Sequence, residues 1–136
     1  MALLIDTCAM IFVAQGDSDA KRAIEIVQGA HQSGETLLIS PISAWEIGLL
    51  NAKGRLKLSQ PPGRWFDNVV AKGKLTLAAL TPGVLVASSF LPECDLRDPA
   101  DRIIAATARE FDYTVLTRDR LLLGYAGSGH MRAIGC

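Results

Sequence analysis

The sequence predicts an α/β fold, a three-layer α/β/α sandwich around a central, mostly parallel sheet of about five strands. Two observations carry this prediction. Short apolar runs without polar alternation, Ala2-Leu3-Leu4-Ile5 and Thr36-Leu37-Leu38-Ile39, read as strands buried on both faces. Segments with apolar residues at helical spacing lie between such runs, and that alternation implies right-handed βαβ crossovers. The 136 residues are read as one domain, 1–136, long enough to bury a core and free of repeats or low-complexity linkers.

Taken in order, the first strand runs straight into Asp6. Thr7 to Ala14 contains no breaker and is stopped by Gly16, which predicts a short helix. Asp17 or Ser18 is expected to cap a longer helix carrying Ala23, Ile24, Val27 and Ala30, with Gly34 just past its end. After the strand Thr36–Ser40, Pro41 marks a helix start, and Ile42, Trp45, Leu49 and Leu50 form the expected buried stripe. Trp65-Phe66 with Val69 and Val70 suggest a helix beyond Pro61-Pro62-Gly63. Leu75–Leu80 is expected to be a third strand, and Pro82 to start a helix through Phe90 whose Val/Leu/Phe-rich part, Val84 to Phe90, either packs into the core or forms a dimer surface. Asp98-Pro99 opens a strong helix with Ile103, Ile104, Ala105, Ala108 and Phe111 on its apolar side. Tyr113–Thr117 is a fourth strand, Arg120–Leu123 a short helix, and Met131–Ile134 a last strand.

Composition excludes several classes. Fourteen basic and fourteen acidic residues cancel, so no bulk field marks a nucleic-acid or membrane partner, although a local patch would suffice for nucleic acid. Cys8, Cys94 and Cys136 are few, odd in number and without zinc spacing, which suggests a reducing compartment. The opening run lacks the basic lead of a signal peptide, and no apolar run reaches the roughly 20 residues of a membrane span. A cytoplasmic protein without a membrane partner is expected.

Four acids stand out. Glu46 falls four residues after Ile42, on the apolar stripe of its helix, where a charge is costly unless paired or bound to a cation. Asp101 precedes Ile104, Ala105 and Ala108 and is likewise on the packing side, although an acid in a first turn is also stabilised by the helix dipole. Asp6 and Asp119 sit just beyond strand ends, where open α/β sheets bind ligands. Asp98 is well placed as an N-cap before Pro99, and Asp119 as the cap of the short helix after it. If the four meet at one end of the sheet, they raise each other's pKa values unless a cation neutralises them. Oxygen ligands without His or Cys favour Mg²⁺ or Mn²⁺, whose chemistry suits phosphodiester hydrolysis. Thr7, Ser43 and Thr117 are placed to hydrogen-bond these acids or an attacking water, or else serve as ordinary cap and turn hydroxyls.

From Lys53 to Lys74, six cations (Lys53, Arg55, Lys57, Arg64, Lys72 and Lys74) face one acid, Asp67. With Trp65 and Phe66 among them, they read either as contacts to single-stranded RNA or as a solvated face over core aromatics. Arg102 and Arg118 adjoin proposed ligands and are expected to pair with carboxylates or grip phosphate. His31 and His130 lie in no motif.

The set Leu4-Ile5-Asp6-Thr7, Ser43-Ala44-Trp45-Glu46-Ile47, Asp98-Pro99-Ala100-Asp101-Arg102 and Leu116-Thr117-Arg118-Asp119 resembles PIN-domain ribonucleases, specifically VapC-type toxins of toxin–antitoxin pairs. Each short motif is weak alone; the ordered set, spanning the chain, is specific. The resemblance implies RNA cleavage dependent on Mg²⁺ or Mn²⁺, with metal held by Asp6, Glu46, Asp101 and Asp119. It also implies a cognate antitoxin and toxin homodimers, and leaves Asp98 open as ligand or cap. The rivals are a catalytically silent PIN-like scaffold binding RNA or protein, which predicts a lost acid, and a nuclease preferring DNA. A phosphatase of the haloacid dehalogenase type would need an acid where Cys8 stands.

Overall fold

In a computed structural model describing all 136 residues, five strands form one sheet: β1 (Ala2–Ile5), β2 (Thr36–Ile39), β3 (Thr76–Leu77), β4 (Thr114–Thr117) and β5 (Arg132–Gly135). Their order is β3-β2-β1-β4-β5, and every pair is parallel. The helices are α1 (Thr7–Gln15), α2 (Lys21–Gln32), α3 (Ile42–Ala52), α4 (Pro62–Lys72), α5 (Pro82–Ala87), α6 (Pro99–Phe111) and α7 (Arg120–Gly127).

Alternation along each strand divides the core in two. Leu3, Ile5, Leu37, Ile39 and Leu116 face Ala9 and Met10 of α1, Ala30 of α2, Ile47 of α3 and Phe66 of α4. Leu4, Leu38 and Val115 face Val84 of α5, Ile104, Ala105 and Ala108 of α6, and Leu122 and Tyr125 of α7. Helices thus cover both faces, which is why the central strands are apolar on both sides apart from the threonines at their ends. The chain leaves β1 toward β2 and β3 and later returns to β4 on the other side. The β1/β4 junction is therefore the switch point of the sheet, where a crevice opens beyond the strand ends.

Several boundaries differ from the sequence expectation for identifiable reasons. The third strand is only Thr76–Leu77, both exposed at the sheet edge, because Ala78 turns inward to pack with Val84. α5 stops at Ala87, and α7 runs on past Leu123 because Gly124 is accommodated while Tyr125 buries its ring and donates its hydroxyl to Pro92 O (2.8 Å). Neither Asp17 nor Ser18 caps α2 with its side chain; a single 3-10 turn, Ser18–Ala20, leads into it. α6 ends at Asp112, a non-glycine residue in the left-handed region (φ 60°) whose carboxylate pairs with Arg132 (2.8 Å). Phe111, expected inside, lies at the surface. Of the stretch Val84 to Phe90, Val84 alone is fully buried; Leu85, Val86 and Phe90 are exposed.

The largest change is a rotation of α3. Ser43 and Ile47 are fully buried, whereas Trp45 and Leu49 are 52% and 40% exposed. Of the expected stripe, Ile42 and Leu50 stay half-buried, Ile42 against the core, while Trp45 and Leu49 turn outward and Ser43, Glu46 and Ile47 take the inner side. Glu46 remains beside the core, held by a polar partner.

Candidate active site

Asp6 follows β1 and begins α1. Its backbone N–H continues the sheet ladder to Leu116 O (3.0 Å), and its Oδ1 accepts the Ala9 N–H (2.7 Å), so the carboxylate doubles as the N-cap. Its Oδ2 accepts the Thr117 hydroxyl, which in turn accepts the backbone N–H of Asp119 (2.9 Å). Asp6 is 3% exposed and Thr117 not at all, so the ends of β1 and β4 are joined by an ordered polar link.

A second link joins α1 to α3. The Thr7 hydroxyl donates to Glu46 Oε1, and the hydroxyls of Thr7 and Ser43 are 2.7 Å apart. The remaining acids sit at helix starts. Asp98 caps α6 through Ala100 N (2.9 Å) and Asp101 N (3.4 Å), and Asp119 caps α7 through Leu121 N (2.7 Å) and Leu122 N (3.0 Å). No buried side-chain nitrogen or oxygen lacks a partner.

The acids act on one another. Burial raises the Asp101 carboxyl most, and the charges of Asp98, Asp119, Glu46 and Asp6 add to it, bringing it to about 7. Burial also raises Glu46, offset by the bond from Thr7 and reinforced by Asp98 and Asp6. Asp6 is raised by burial against the bonds from Thr117 and Ala9, with the Asp119 charge adding. No lysine or arginine figures among the influences on any of the three. Cys8, which the sequence gave no reason to single out, lies in the same field. Burial and then the charges of Asp6, Glu46, Asp101 and Asp119 push its thiol to about 11, so it is held neutral.

The donor set consists of oxygens in mutual repulsion without a protein counter-charge, which suits a hard divalent cation. Yet no three Asp, Glu, His or Cys side chains converge tightly enough in this conformation to enclose an ion. Asp6 and Glu46 are engaged by threonine hydroxyls, and Asp98 and Asp119 by helix N–H groups.

Other expectations divide. Arg102 neither pairs with a carboxylate nor points its donors outward. Its Nε donates to Ser88 O (2.8 Å) and a terminal nitrogen to Leu96 O (2.6 Å) and toward Cys94 Sγ (3.5 Å), bracing the segment that leads into α6. Arg118 is exposed, makes no hydrogen bond or ion pair, and lies with its guanidinium carbon 3.7 Å from the centre of the Phe12 ring. Lys53, Arg55, Lys57 and Arg64 are exposed. Lys53 follows Glu46 by seven residues, about 10 Å further along the helix axis. Phe66 is buried in the core, and Trp65 is half-buried against it, with part of its surface lining a recess away from the carboxylates. A recess of about 430 Å³ lined by Met10, Val13, Val27, Trp65 and Val69 contains no carboxylate.

With this geometry established, known proteins give a consistent placement. The PIN domain family model matches residues 3–127. Ribonuclease VapC22 of Mycobacterium tuberculosis is 31% identical over 93 residues, 68% of this chain and 70% of the relative. Among solved structures, VapBC2 from Rickettsia felis bound to a promoter DNA fragment superposes with a TM-score of 0.72 at 14% identity, covering 100% of this chain and 99% of that one. FitAcB from Neisseria gonorrhoeae gives 0.66 at 17% identity (97% and 96% covered), and a toxin-antitoxin complex from Klebsiella pneumoniae 0.62 at 20% (97% and 95%). No helix is long and apolar enough to cross a membrane. The chain belongs to the PIN-domain family, among its VapC-type members.

Proposed function

We propose that this protein is a metal-dependent endoribonuclease that serves as the toxin of a toxin–antitoxin pair in the cytoplasm, with residues 1–136 forming one nuclease domain. The observation that carries the reading is the mutual influence of Asp6, Glu46, Asp101 and Asp119 at the β1/β4 switch point, with no basic side chain to neutralise them. These four would hold Mg²⁺ or Mn²⁺, with Asp98 as the cap that orients Asp101. Such an ion lowers the pKa of a water and polarises a phosphoryl oxygen. The chain's own contribution is positional. Thr117 fixes Asp6 relative to Asp119, and Thr7 fixes Glu46 while Ser43 fixes Thr7. Carboxylates already raised by burial and repulsion gain most from a cation, because it removes both penalties.

RNA, an antitoxin protein and a second copy of the chain are the proposed partners; the likeness to a toxin-antitoxin complex from Klebsiella pneumoniae supports the antitoxin. The deciding experiment incubates the purified chain with matched single-stranded RNA and DNA panels in Mn²⁺, Mg²⁺ or chelator, with Asp6→Ala in parallel. Metal-dependent cutting of RNA alone, lost in the variant, supports the reading. Cutting of DNA alone transfers the activity to DNA. No cutting and no Mn²⁺ binding replaces the enzyme with a PIN-like scaffold.

A further inference from the structure

We infer that Arg118 and Phe12 together form a grip for a substrate phosphate beside the carboxylates, with Phe12 as the positioning residue. The inference deepens the nuclease reading and rests on it. Arg118 lies between Thr117, which holds Asp6, and Asp119, which caps α7, so its backbone is fixed on both sides.

Arg22, Arg102, Arg109 and Arg132 donate to backbone carbonyls and are tied into the fold, whereas Arg55, Arg64, Arg97 and Arg120 make neither a hydrogen bond nor an ion pair; among the unpaired arginines, Arg118 is the one held against an aromatic face. Arg118 donates to nothing in the chain, and its only partner is the face of the Phe12 ring, 3.7 Å from the guanidinium carbon. Stacking restrains the plane of the guanidinium and leaves the N–H groups along its edges free. A planar fork of unpaired donors, held still and next to an anionic cluster, suits a phosphodiester oxygen bidentately. It is poorly arranged to neutralise the carboxylates, since it does not contact them. The acids would take the cation that acts at the scissile phosphate, and Arg118 would hold a neighbouring phosphate of the same strand. Phe12 comes from α1, which starts at Asp6, so the same helix would set both the carboxylate and the grip.

The test uses the full chain and a 5′-fluorescein mixed-sequence single-stranded RNA, with binding read by anisotropy in Ca²⁺ and cleavage in Mn²⁺. Arg118→Ala should lower the slope of log affinity against log salt by about 0.7, the value of one single-strand phosphate contact. Phe12→Leu should weaken binding about two- to fivefold, the worth of an exposed cation–π contact, with the loss in KM rather than kcat. Phe12→Trp should restore it. Phe12→Leu added to Arg118→Ala should cost nothing further, which a merely structural Phe12 would not show. Additive losses, or Phe12→Leu binding RNA as the wild type does, would overturn the grip while leaving the nuclease intact. A wild-type chain that neither binds nor cuts the RNA would overturn both.

Discussion

The Thr117 hydroxyl donates to Asp6 Oδ2 and accepts the backbone N–H of Asp119 at 2.9 Å, so one buried side chain ties together two acids 113 positions apart in the sequence. Because the hydroxyl is both donor and acceptor, no apolar residue can replace it without leaving two groups unmet. Thr117→Val is isosteric and leaves Asp6 Oδ2 without its donor and the Asp119 N–H without its acceptor. Urea unfolding should show a loss of about 1–3 kcal/mol. A Mn²⁺ titration should show about 10- to 100-fold weaker binding, the usual cost of removing a group that orients a ligand. Thr117→Ser should behave nearly as wild type in both measurements.

Stability should depend on pH in a direction set by the same cluster. Asp101 is raised from 3.8 to about 7, so across that interval the folded chain holds a proton that the unfolded chain has released. Stability is then full below the lower value and falls as pH rises toward about 7. Asp6 and Glu46 are raised too and act in the same direction. In chelator, the melting temperature should decline from acid to neutral pH, and Asp101→Asn should flatten that decline. Adding Mn²⁺ at neutral pH should recover the lost melting temperature, because a cation that binds only the folded form stabilises it. A profile rising toward neutral pH in chelator would contradict the repulsion.

Arg102 should prove a structural residue. Removing its guanidinium leaves Ser88 O and Leu96 O without their donor, and Arg102→Ala should lower unfolding free energy by about 2–3 kcal/mol. Lysine cannot supply the same fork of donors, so Arg102→Lys should recover little. The salt dependence of RNA binding should not change in either variant, in contrast to Arg118→Ala.

β1, β2 and β4 were legible because both their faces are buried, which leaves a largely apolar run in sequence, whereas the exposed edge strand β3 has no such signature and was read too long. Asp98 was legible as a cap because Pro99 fixes the first helical position after it. The direction of α3 was not. Trp45 and Leu49 satisfy helical spacing as well as Ser43, Glu46 and Ile47 do, and what favours the second line comes from other elements, the hydroxyl of Thr7 and the core that takes Ile47. Arg102 looked like a ligand partner because it adjoins Asp101 in sequence, whereas neighbours on a helix diverge by about 100° and its donors reach a loop on another side. The Phe12–Arg118 contact has no local signature at all, since it joins residues 106 positions apart.

The most direct measurement is single-turnover cleavage of an end-labelled mixed RNA in saturating Mn²⁺ by wild type, Asp101→Asn and Asp98→Asn. Carboxylate-held metal chemistry centred on Asp101 predicts wild-type cutting that chelator abolishes. It also predicts a loss of about 100-fold or more in Asp101→Asn, since stabilising transition-state charge through a metal is worth several kcal/mol. Asp98→Asn, which keeps a capping side chain, should retain most of the rate. Full activity in Asp101→Asn, or a collapse confined to Asp98→Asn, would contradict the assignment and place the essential acid at Asp98.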